Sequence, residues 1–426
     1  MKTQGVFLLG LILLFSAAAS HADVAGGVIV VGCPLPLTAS YGQNGMRGLT
    51  LAAEEINESG GVRIQGKKLP IQLVILDTGD LNPTVSEAEA MEKVESLITG
   101  KKADVLIGGP ARSEYGLAAM DVIAKHDVVH IVTTGCYTPK WNKVKYLSDP
   151  KKYRRSFRMS GNIAWYIEEM KGLLAMLKKQ YGFKKMFILI QDVLMCRDAA
   201  EIVRKVAIAD GWEVVGQEAA PTETTDFREA LKKCKKTGAQ VLFLWTYSPN
   251  SAKIFEQWRR MEIPALPMGF VEAAEDPAFW KRTKGSCAYS VITLSEAGVT
   301  PSDVTRLSRD FYNAYENRWG VPPRATGSAA SYEAVYLLKD AIERADSLKP
   351  DKLVPALEKT DLPVVRGRLR FDKTHQCVFG YNPTDSILGN WAQWQDGKRV
   401  TIWPPAAKTG ELKMPPWLQW FWLKTR

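Results

Sequence analysis

Short apolar runs alternate with amphipathic stretches in the first part of the chain. The apolar runs are rich in β-branched residues, which is typical of buried strands, and the stretches between them repeat apolar residues at helical spacing. Strand–helix–strand order at this rhythm predicts right-handed βαβ crossovers and a parallel sheet with helices on both faces. The predicted elements are strands at 28–31, 71–76, 105–107 and 128–132 and helices over 46–57, 83–98 and 115–125.

The same rhythm restarts in the second part of the chain. Two consecutive units of this kind predict a two-lobed α/β protein rather than one large sheet. The segment 137–158 between them is polar and contains tryptophan, and we interpret it as a connection near the lobe boundary. The second unit is predicted to have helices over 170–177, 199–209, 226–234 and 252–261 and strands at 186–190, 212–215 and 241–245.

The first 22 residues have the pattern of an export signal. Lys2 supplies a positive charge, and the apolar stretch 6–15 is too short to span a bilayer. The tripeptide Ser20-His21-Ala22 fits the small-x-small rule for signal peptidase. The sequence therefore predicts cleavage of residues 1–22 and export of a soluble protein to the periplasm. The alternative is an uncleaved N-terminal anchor.

Composition indicates a globular protein with no nucleic-acid partner. The chain has 426 residues, of which 46% are hydrophobic and 24% charged, and this length suits two or three domains. The net charge is +10, but the basic residues are spread along the chain, so we expect no nucleic-acid binding. Only four histidines are present, which argues against a histidine-built metal or acid–base enzyme.

Motifs for nucleotide binding and for common hydrolases are missing from the sequence. No predicted strand is followed by G-x-G-x-x-G or G-x-x-x-x-G-K-[ST], and neither G-x-S-x-G nor H-E-x-x-H occurs. An exported enzyme with Cys136 or Cys196 as nucleophile is an alternative, but it needs a base. His126 and His130 flank a buried strand, where packing is their expected role. We therefore expect no catalytic residue, no metal and no cofactor.

Polar and aromatic residues follow strands of both predicted lobes. In open α/β sheets, ligands bind at the carboxyl ends of strands, where loops and helix N-termini present backbone N–H groups. Hydroxyls from one lobe, with aromatic rings and a carboxylate from the other, would suit a small zwitterion or a polar aromatic acid. These strand ends carry residues 38–41, Arg112, Ser113, 133–138, 192–196, 245–247 and Glu272.

Several of these segments resemble a known protein family. Together they are similar to periplasmic solute-binding proteins of the leucine/isoleucine/valine-binding type, which have the type I periplasmic-binding fold and supply ABC importers. The likeness extends over about 28–404. The segments that carry it are PLTASYG (36–42), RG (47–48), AAEEIN (52–57), GGV (60–62), ADVLIG (103–108), TTDF (224–227), GRLRFD (367–372) and WQDGK (394–398).

The resemblance implies a fold, a binding mode and a partner. It implies two doubly wound, Rossmann-like lobes that are joined by three crossing strands and close about a hinge on a small-molecule ligand. It also implies that the protein is a monomer and delivers the ligand to an ABC permease in the inner membrane. Lobe 1 would comprise 23–157 and 293–365, lobe 2 would comprise 158–292 and 366–404, and 405–426 would be a tryptophan-rich C-terminal tail. In this family, hydroxyls and backbone N–H groups of lobe 1 hold a ligand carboxylate, and a lobe 2 acid holds the ammonium. A sensor or receptor module of the same fold is the alternative.

Carried over by position, the resemblance also implies ligand-binding residues. Arg112 and Cys136 stand where small residues are usual and Cys196 where tyrosine is usual, so aliphatic amino-acid specificity is not inherited. If Arg112 faces the cleft, it could hold a carboxylate bidentately, which suits an acid without an ammonium stacked on Trp245 or Tyr247. If Arg112 points to solvent, an amino acid or amide remains open. The implied set is Tyr41, Arg112, Ser113, Cys136, Tyr137, Thr138, Cys196, Trp245, Tyr247 and Glu272.

The cysteines and the tail leave further alternatives open. Cys33, Cys136 and Cys196 follow strands whose ends line the predicted cleft, and three thiolates there could bind a soft metal. An oxidising compartment instead favours disulfides, with Cys33–Cys136 and Cys287–Cys377 as candidate pairs. The tail either packs on the protein's own surface or contacts a permease or the bilayer interface.

Overall fold

The first part of the chain forms a five-stranded parallel sheet. The computed structural model describes residues 27–418, so the predicted signal peptide lies outside the described residues. Two short strands pair as a hairpin beside the sheet. The elements are β1 (Ile29–Leu35), α1 (Ser40–Glu58), β2 (Val62–Ile64), β3 (Lys67–Leu69), β4 (Ile71–Asp77), α2 (Glu87–Thr99), β5 (Val105–Gly108), α3 (Ser113–Ala124), β6 (Val129–Val132) and β7 (Ser156–Arg158).

The second part contributes a second run of parallel strands. This unit begins with a long helix that is capped by Asn162, whose side chain accepts a hydrogen bond from the backbone N–H of Trp165. The elements are α4 (Ile163–Tyr181), β8 (Lys185–Gln191), α5 (Leu194–Ala209), β9 (Glu213–Ala220), α6 (Arg228–Lys236), β10 (Val241–Thr246), α7 (Ala252–Arg260), β11 (Leu266–Val271), α8 (Phe279–Arg282) and β12 (Val291–Thr293).

The last part of the chain completes both halves of the molecule. Two antiparallel strands extend the second sheet, which has seven strands in all. The elements are α9 (Arg306–Trp319), α10 (Ser328–Ala345), α11 (Pro350–Glu358), β13 (Leu362–Val364), β14 (Gly367–Leu369), β15 (Trp391–Gln395) and β16 (Lys398–Trp403).

Strand order confirms the predicted two-lobed α/β fold. The first sheet runs β4-β1-β5-β6-β7, with all neighbours parallel. The second runs β16-β15-β12-β11-β10-β8-β9, with β8 to β12 parallel. We call the part built on the first sheet lobe 1 and the part built on the second sheet lobe 2. The chain passes between the sheets after β7, after β12 and before β15, which gives three connections.

The structure moves some of the predicted boundaries. The connection predicted at 137–158 contains a π-helical turn and then β7, which is the edge strand of lobe 1. Leu369, Cys377 and Ile387, which the predicted boundary assigns to lobe 2, pack in the hydrophobic core of lobe 1 with residues of β1 and α10. The third connection therefore falls later along the chain, just before β15.

All six cysteines are buried and free, so both disulfide predictions are wrong. Cys33 lies in the main core of lobe 1, whereas Cys136 belongs to a separate cluster around Trp141. Cys287 lies in a cluster of lobe 2 and Cys377 in the core of lobe 1, so neither pair shares a site. Within residues 27–418, no group of three or more histidine, cysteine or acidic side chains could hold a metal ion.

The described part of the C-terminal tail packs on lobe 2. The indole N–H of Trp417 donates to the carbonyl of Ile263 at 3.1 Å, and its ring centroid lies 5.1 Å from that of Trp258. This segment therefore packs on the protein's own surface, whereas Trp420 and Trp422 lie outside the described residues. Within residues 27–418, none of the helices combines the length and the apolar character needed to cross a membrane.

Candidate functional site

A cavity of about 910 Å³ lies between the two lobes, where strand ends of both sheets meet. We call its two sides the lobe 1 wall and the lobe 2 wall. Seven of the ten residues that the sequence predicts for ligand binding line this cavity. They are Tyr41, Arg112, Ser113, Tyr137 and Thr138 on the lobe 1 wall and Tyr247 and Glu272 on the lobe 2 wall.

The other three predicted residues do not line the cavity. Cys136 lies behind α3, since a Cβ atom added to Gly116 of that helix would come within 2.3 Å of its sulfur. Cys196 and Trp245 are buried among the core residues of lobe 2. Burial raises the pKa of Cys136 to about 11 and that of Cys196 to about 12, so both thiols stay protonated at neutral pH. This placement supports neither a thiolate metal site nor a cysteine nucleophile.

The first loop of the lobe 1 wall is held by the buried side chain of Asp80. One carboxylate oxygen accepts the backbone N–H groups of Ala111 and Arg112 at 2.8 and 2.7 Å, and the other accepts the hydroxyl of Thr78. These bonds place the loop directly before Ser113, the first residue of α3. The N–H groups in the first turn of a helix have no intrahelical acceptor and attract anions. The wall can therefore receive a ligand carboxylate at the start of α3.

The second loop of the lobe 1 wall is held by Arg158. This fully buried side chain donates to the carbonyls of Cys136 and Thr138 at 2.7 and 2.9 Å and to the side-chain oxygen of Gln376 at 2.6 Å. Gln376 belongs to the segment after β14, so the loop is tied to a distant part of the chain. The result is a rigid main-chain path that carries Tyr137 to the cavity.

Tyr41 and Tyr137 form the aromatic part of the lobe 1 wall, and Tyr166 of α4 packs against Tyr137. Gly135 has a φ of +65°, and a Cβ atom there would lie 2.4 Å from the carbonyl oxygen of Ala111, so the loop can approach only with glycine. The ring of Tyr137 lies 6.1 Å from that of Tyr41 and 5.6 Å from that of Tyr166. The buried hydroxyl of Tyr41 has no hydrogen-bond partner within the part of the chain that the structure describes.

The sequence left open whether Arg112 faces the cleft or points to solvent, and the structure places it at the edge of the cavity, between these two alternatives. It lines the cavity, but its side chain is 42% exposed. Its guanidinium lies 4.9 Å from the ring centroid of Tyr115, and its Nε is 3.7 Å from the carboxylate of Glu114. Arg112 is therefore a half-exposed residue with partners of its own rather than a buried carboxylate clamp.

Gln191, at the end of β8, organises the lobe 2 wall. Its side-chain oxygen accepts the backbone N–H groups of Tyr247 and Ser248, each at 2.8 Å. The hydroxyl of Tyr247 in turn donates to the sulfur of Met195 at 2.7 Å. These contacts turn an aromatic ring and a polarisable thioether toward one region, which suits an apolar or aromatic ligand body.

Glu272 carries contacts from both sides of the cavity. Its Oε1 accepts the hydroxyl of Ser40 in lobe 1 at 2.5 Å and a guanidinium N–H of Arg324 at 2.9 Å. Arg324, from the loop between α9 and α10, also lies 3.7 Å from Asp276, which Arg282 contacts at 2.7 Å. The carboxylate of Glu272 is therefore already paired within the protein.

Sequence reasoning missed several residues that build this site. Asp80 and Gln191 lie just after or at the end of a strand, so a closer reading of strand ends could have found them. No local pattern marks Arg158 or Arg324. They reach the site from an edge strand and from a loop between helices, and only the folded chain brings them there.

Comparison with known proteins matches this architecture. A family described as periplasmic binding protein matches residues 28–385. A curated relative from Brucella suis biovar 1 (strain 1330), named Leu/Ile/Val-binding protein homolog 7, is 27% identical over 95% of this chain and 97% of its own.

Two solved structures extend the comparison to three dimensions. One, from Silicibacter pomeroyi, is assigned to branched-chain amino acid ABC transport and has a TM-score of 0.80 at 22% identity, covering 92% of this chain and 100% of that chain. The other is a solute-binding protein of an ABC transporter from R. palustris in complex with benzoate. Its TM-score is 0.70 at 18% identity, covering 90% of this chain and 98% of that chain. At these identities the structural likeness shows the fold, which is the type I periplasmic-binding fold.

Proposed function

The chain belongs to the periplasmic binding protein family, and we propose that it is the extracytoplasmic solute-binding component of an ABC importer. The observation that carries this proposal is the cavity between the lobes, which is lined from both sides and bridged by the hydrogen bond from Ser40 to Glu272. Export by the predicted signal peptide at residues 1–22 and delivery to a membrane permease are part of the same proposal.

The proposed ligand is a small organic solute: an amino acid, an amide or an aromatic carboxylate. The name of the Brucella relative points to branched-chain amino acids, and the R. palustris structure holds benzoate. In this chain, the start of α3 at Ser113 would receive a carboxylate, and the rings of Tyr137 and Tyr247 would cover an apolar or aromatic body.

Binding would work through closure of the two lobes. The ligand contacts groups of both walls only when the lobes approach, so its affinity reports the free-energy difference between open and closed states. The connections between the sheets are the segments that would flex. No covalent step is needed for this function, and the buried, protonated thiols of Cys136 and Cys196 are not part of it.

A thermal-shift screen tests the binding proposal. A ligand that binds only the folded protein stabilises it and so raises the melting temperature. At a ligand concentration of a hundred times Kd, the stabilisation is about 2.7 kcal/mol. We expect at least one amino acid, amide or aromatic acid to raise the melting temperature in proportion to the logarithm of its concentration. Absence of any shift across all three classes would contradict the proposal.

Uptake of the identified ligand tests the import role. Cells that lack the gene should lose uptake of the labelled ligand, and the wild-type gene should restore it. A Gly135→Val variant serves as the matched control, because the side chain would displace the loop against Ala111 and remove binding. Binding in vitro with unchanged uptake in cells would favour the sensor alternative.

A further inference from the structure

We propose that Arg324 determines the ligand class by neutralising Glu272, so that the cavity prefers an organic carboxylate without an ammonium group over the corresponding amino acid. This inference rests on the proposed function, because it concerns the ligand of the same cavity. It names a selectivity that the family and its relatives leave open.

The first step is the charge state of the lobe 2 wall. A ligand ammonium loses its hydration shell when it enters the cavity. It therefore needs a carboxylate whose negative charge is not already paired with a cation of the protein. Glu272 does not offer this, since Arg324 and Ser40 both contact its Oε1. The side chains of Glu272 and Arg324 are only 16% and 18% exposed, so their attraction is little screened by water. An ammonium placed there would lie beside a fixed guanidinium.

The second step concerns the other acids around the cavity. Asp276 is matched by Arg282, and Glu114 lies 3.7 Å from Arg112. Asp198, on the first turns of α5, lines the cavity and has no ion-pair partner within residues 27–418. Among the acids that line the cavity within the described residues, Asp198 is therefore a rival site for a ligand ammonium, and the experiment has to separate it from Glu272.

The third step is what the cavity offers to a carboxylate. The start of α3 at Ser113 presents main-chain N–H groups. Tyr41 also lines the cavity. Tyr137 and Tyr247 supply the apolar surface for the rest of the ligand. These groups serve the carboxylate and the apolar body, which the amino acid and the ammonium-free acid share, so the preference between the two ligands rests on Glu272 and Arg324.

Matched ligand pairs that differ only in the ammonium test the proposal. Isothermal titration of the mature protein would compare 3-phenylpropanoate with L-phenylalanine and 4-methylpentanoate with L-leucine. Of the two ammonium-free acids, the one that binds the wild type more tightly should bind at least about tenfold more tightly than the amino acid of the same pair. This corresponds to a difference of about 1.4 kcal/mol in binding free energy. In Arg324→Met, the freed carboxylate of Glu272 should reduce that ratio by about tenfold or reverse it. Adding Glu272→Gln to Arg324→Met should remove this gain for the amino acid.

Two further variants keep the test decisive. Glu272→Gln alone removes the carboxylate but leaves the guanidinium of Arg324 at the cavity, so it should not improve binding of the amino acid relative to the ammonium-free acid. Arg197→Met removes an exposed arginine outside the cavity and should leave the wild-type ratio unchanged. Far-ultraviolet circular dichroism checks that each variant is folded.

The outcomes separate this inference from the proposed function. If the wild type binds L-leucine or L-phenylalanine more tightly than the matching acid, the inference is wrong and the binding function stands. The inference is equally wrong if Arg324→Met leaves the ratio unchanged, or if Asp198→Asn changes the ratio and Arg324→Met does not. If the wild type binds no member of either pair, the inference fails, and the thermal-shift screen decides separately whether the binding function stands.

Discussion

The two walls of the cleft hold their binding groups in different ways. The loops of the lobe 1 wall are held from behind by two buried charged side chains, Asp80 and Arg158, which do not line the cavity. The lobe 2 wall is made of side chains that contact one another at the cavity surface, among them Met195, Tyr247 and Glu272. The first wall therefore depends on residues that never touch the ligand.

Because of this difference, the two walls suit different parts of a ligand. Main-chain N–H groups are the same whatever the sequence, so the lobe 1 wall suits the part that many ligands share, such as a carboxylate. Side chains change by single substitutions at little cost to the fold, so the lobe 2 wall suits the part that distinguishes one ligand from another. Loss of a buried support should therefore cost far more stability than loss of a group on the lobe 2 wall.

The largest expected effect comes from removing the support of the second lobe 1 loop. Arg158→Met leaves the carbonyls of Cys136 and Thr138 and the side chain of Gln376 without their donor in a buried site. We expect a loss of about 3–5 kcal/mol in the free energy of unfolding, measured by urea denaturation. Arg204→Met, at an exposed position of α5, should change stability by less than about 0.5 kcal/mol. Equal effects of the two substitutions would break the comparison.

Glu169 on α4 is a buried carboxyl of lobe 2 that is supported less well than Asp80. Within residues 27–418, neither of its oxygens has a hydrogen bond of good geometry. Burial raises its pKa from 4.5 to about 8, although the neighbouring indole of Trp391 offsets part of that shift. The folded protein thus keeps a proton that the unfolded chain releases at lower pH. Its contribution to stability is complete at acidic pH and is lost as the pH rises toward about 8.

Urea denaturation at several pH values tests this behaviour. Between about pH 6 and about pH 8, the wild type should lose about 2 kcal/mol through this group, and Glu169→Gln should remove most of that loss. Glu168→Gln, at an exposed site on the same helix, is the matched control and should keep the wild-type slope. If the stability of Glu169→Gln and of the wild type changes with pH in the same way, then the pKa of Glu169 is not raised in the folded protein and the prediction is wrong.

Asp80 supports the first loop of the lobe 1 wall, and its amide variant sharpens the comparison. Asp80→Asn replaces the oxygen that accepts the N–H groups of Ala111 and Arg112 with an amide that can accept at only one atom. We expect a loss of about 1–2 kcal/mol in stability and weaker ligand binding, because the start of α3 would shift. Asp192→Asn, at an exposed ion pair of lobe 2, should leave both unchanged. Weaker stability without weaker binding would show that the loop does not position the ligand.

The fold could be predicted from the sequence because its signals are local. Apolar runs mark the strands, and apolar residues at helical spacing mark the helices. The alternation of strands and helices along the chain then predicts parallel sheets. The predicted boundaries were less accurate than the elements themselves. Asn162 starts α4 at Ile163 rather than at 170, and pairing with β8 extends β9 to Ala220 rather than 215.

The site was harder to predict because side-chain direction is not a local property. Tyr41 and Ser113 lie at the start of the helices that follow β1 and β5, and Tyr247 comes directly after β10, so the strand-end rule places them at the cavity. Cys136 also follows a strand, but its φ of +52° and the hydrogen bonds of Arg158 to its loop turn the thiol behind α3. The disulfide predictions failed for the same reason, since spacing along the chain says nothing about which core each sulfur enters.

The smallest expected effect lies in the lobe 2 wall itself. Tyr247→Phe removes only the hydroxyl that donates to the sulfur of Met195, which is a weak acceptor, and keeps the ring at the cavity. We expect a stability change below about 1 kcal/mol, and a ligand Kd that changes by less than about threefold if the ligand contacts the ring. Tyr247→Ala removes the ring as well and should weaken binding of an aromatic acid by about tenfold or more while folding normally. If Tyr247→Phe instead destabilises the protein as strongly as Arg158→Met, the lobe 2 wall also depends on hidden supports, and the distinction between the two walls fails.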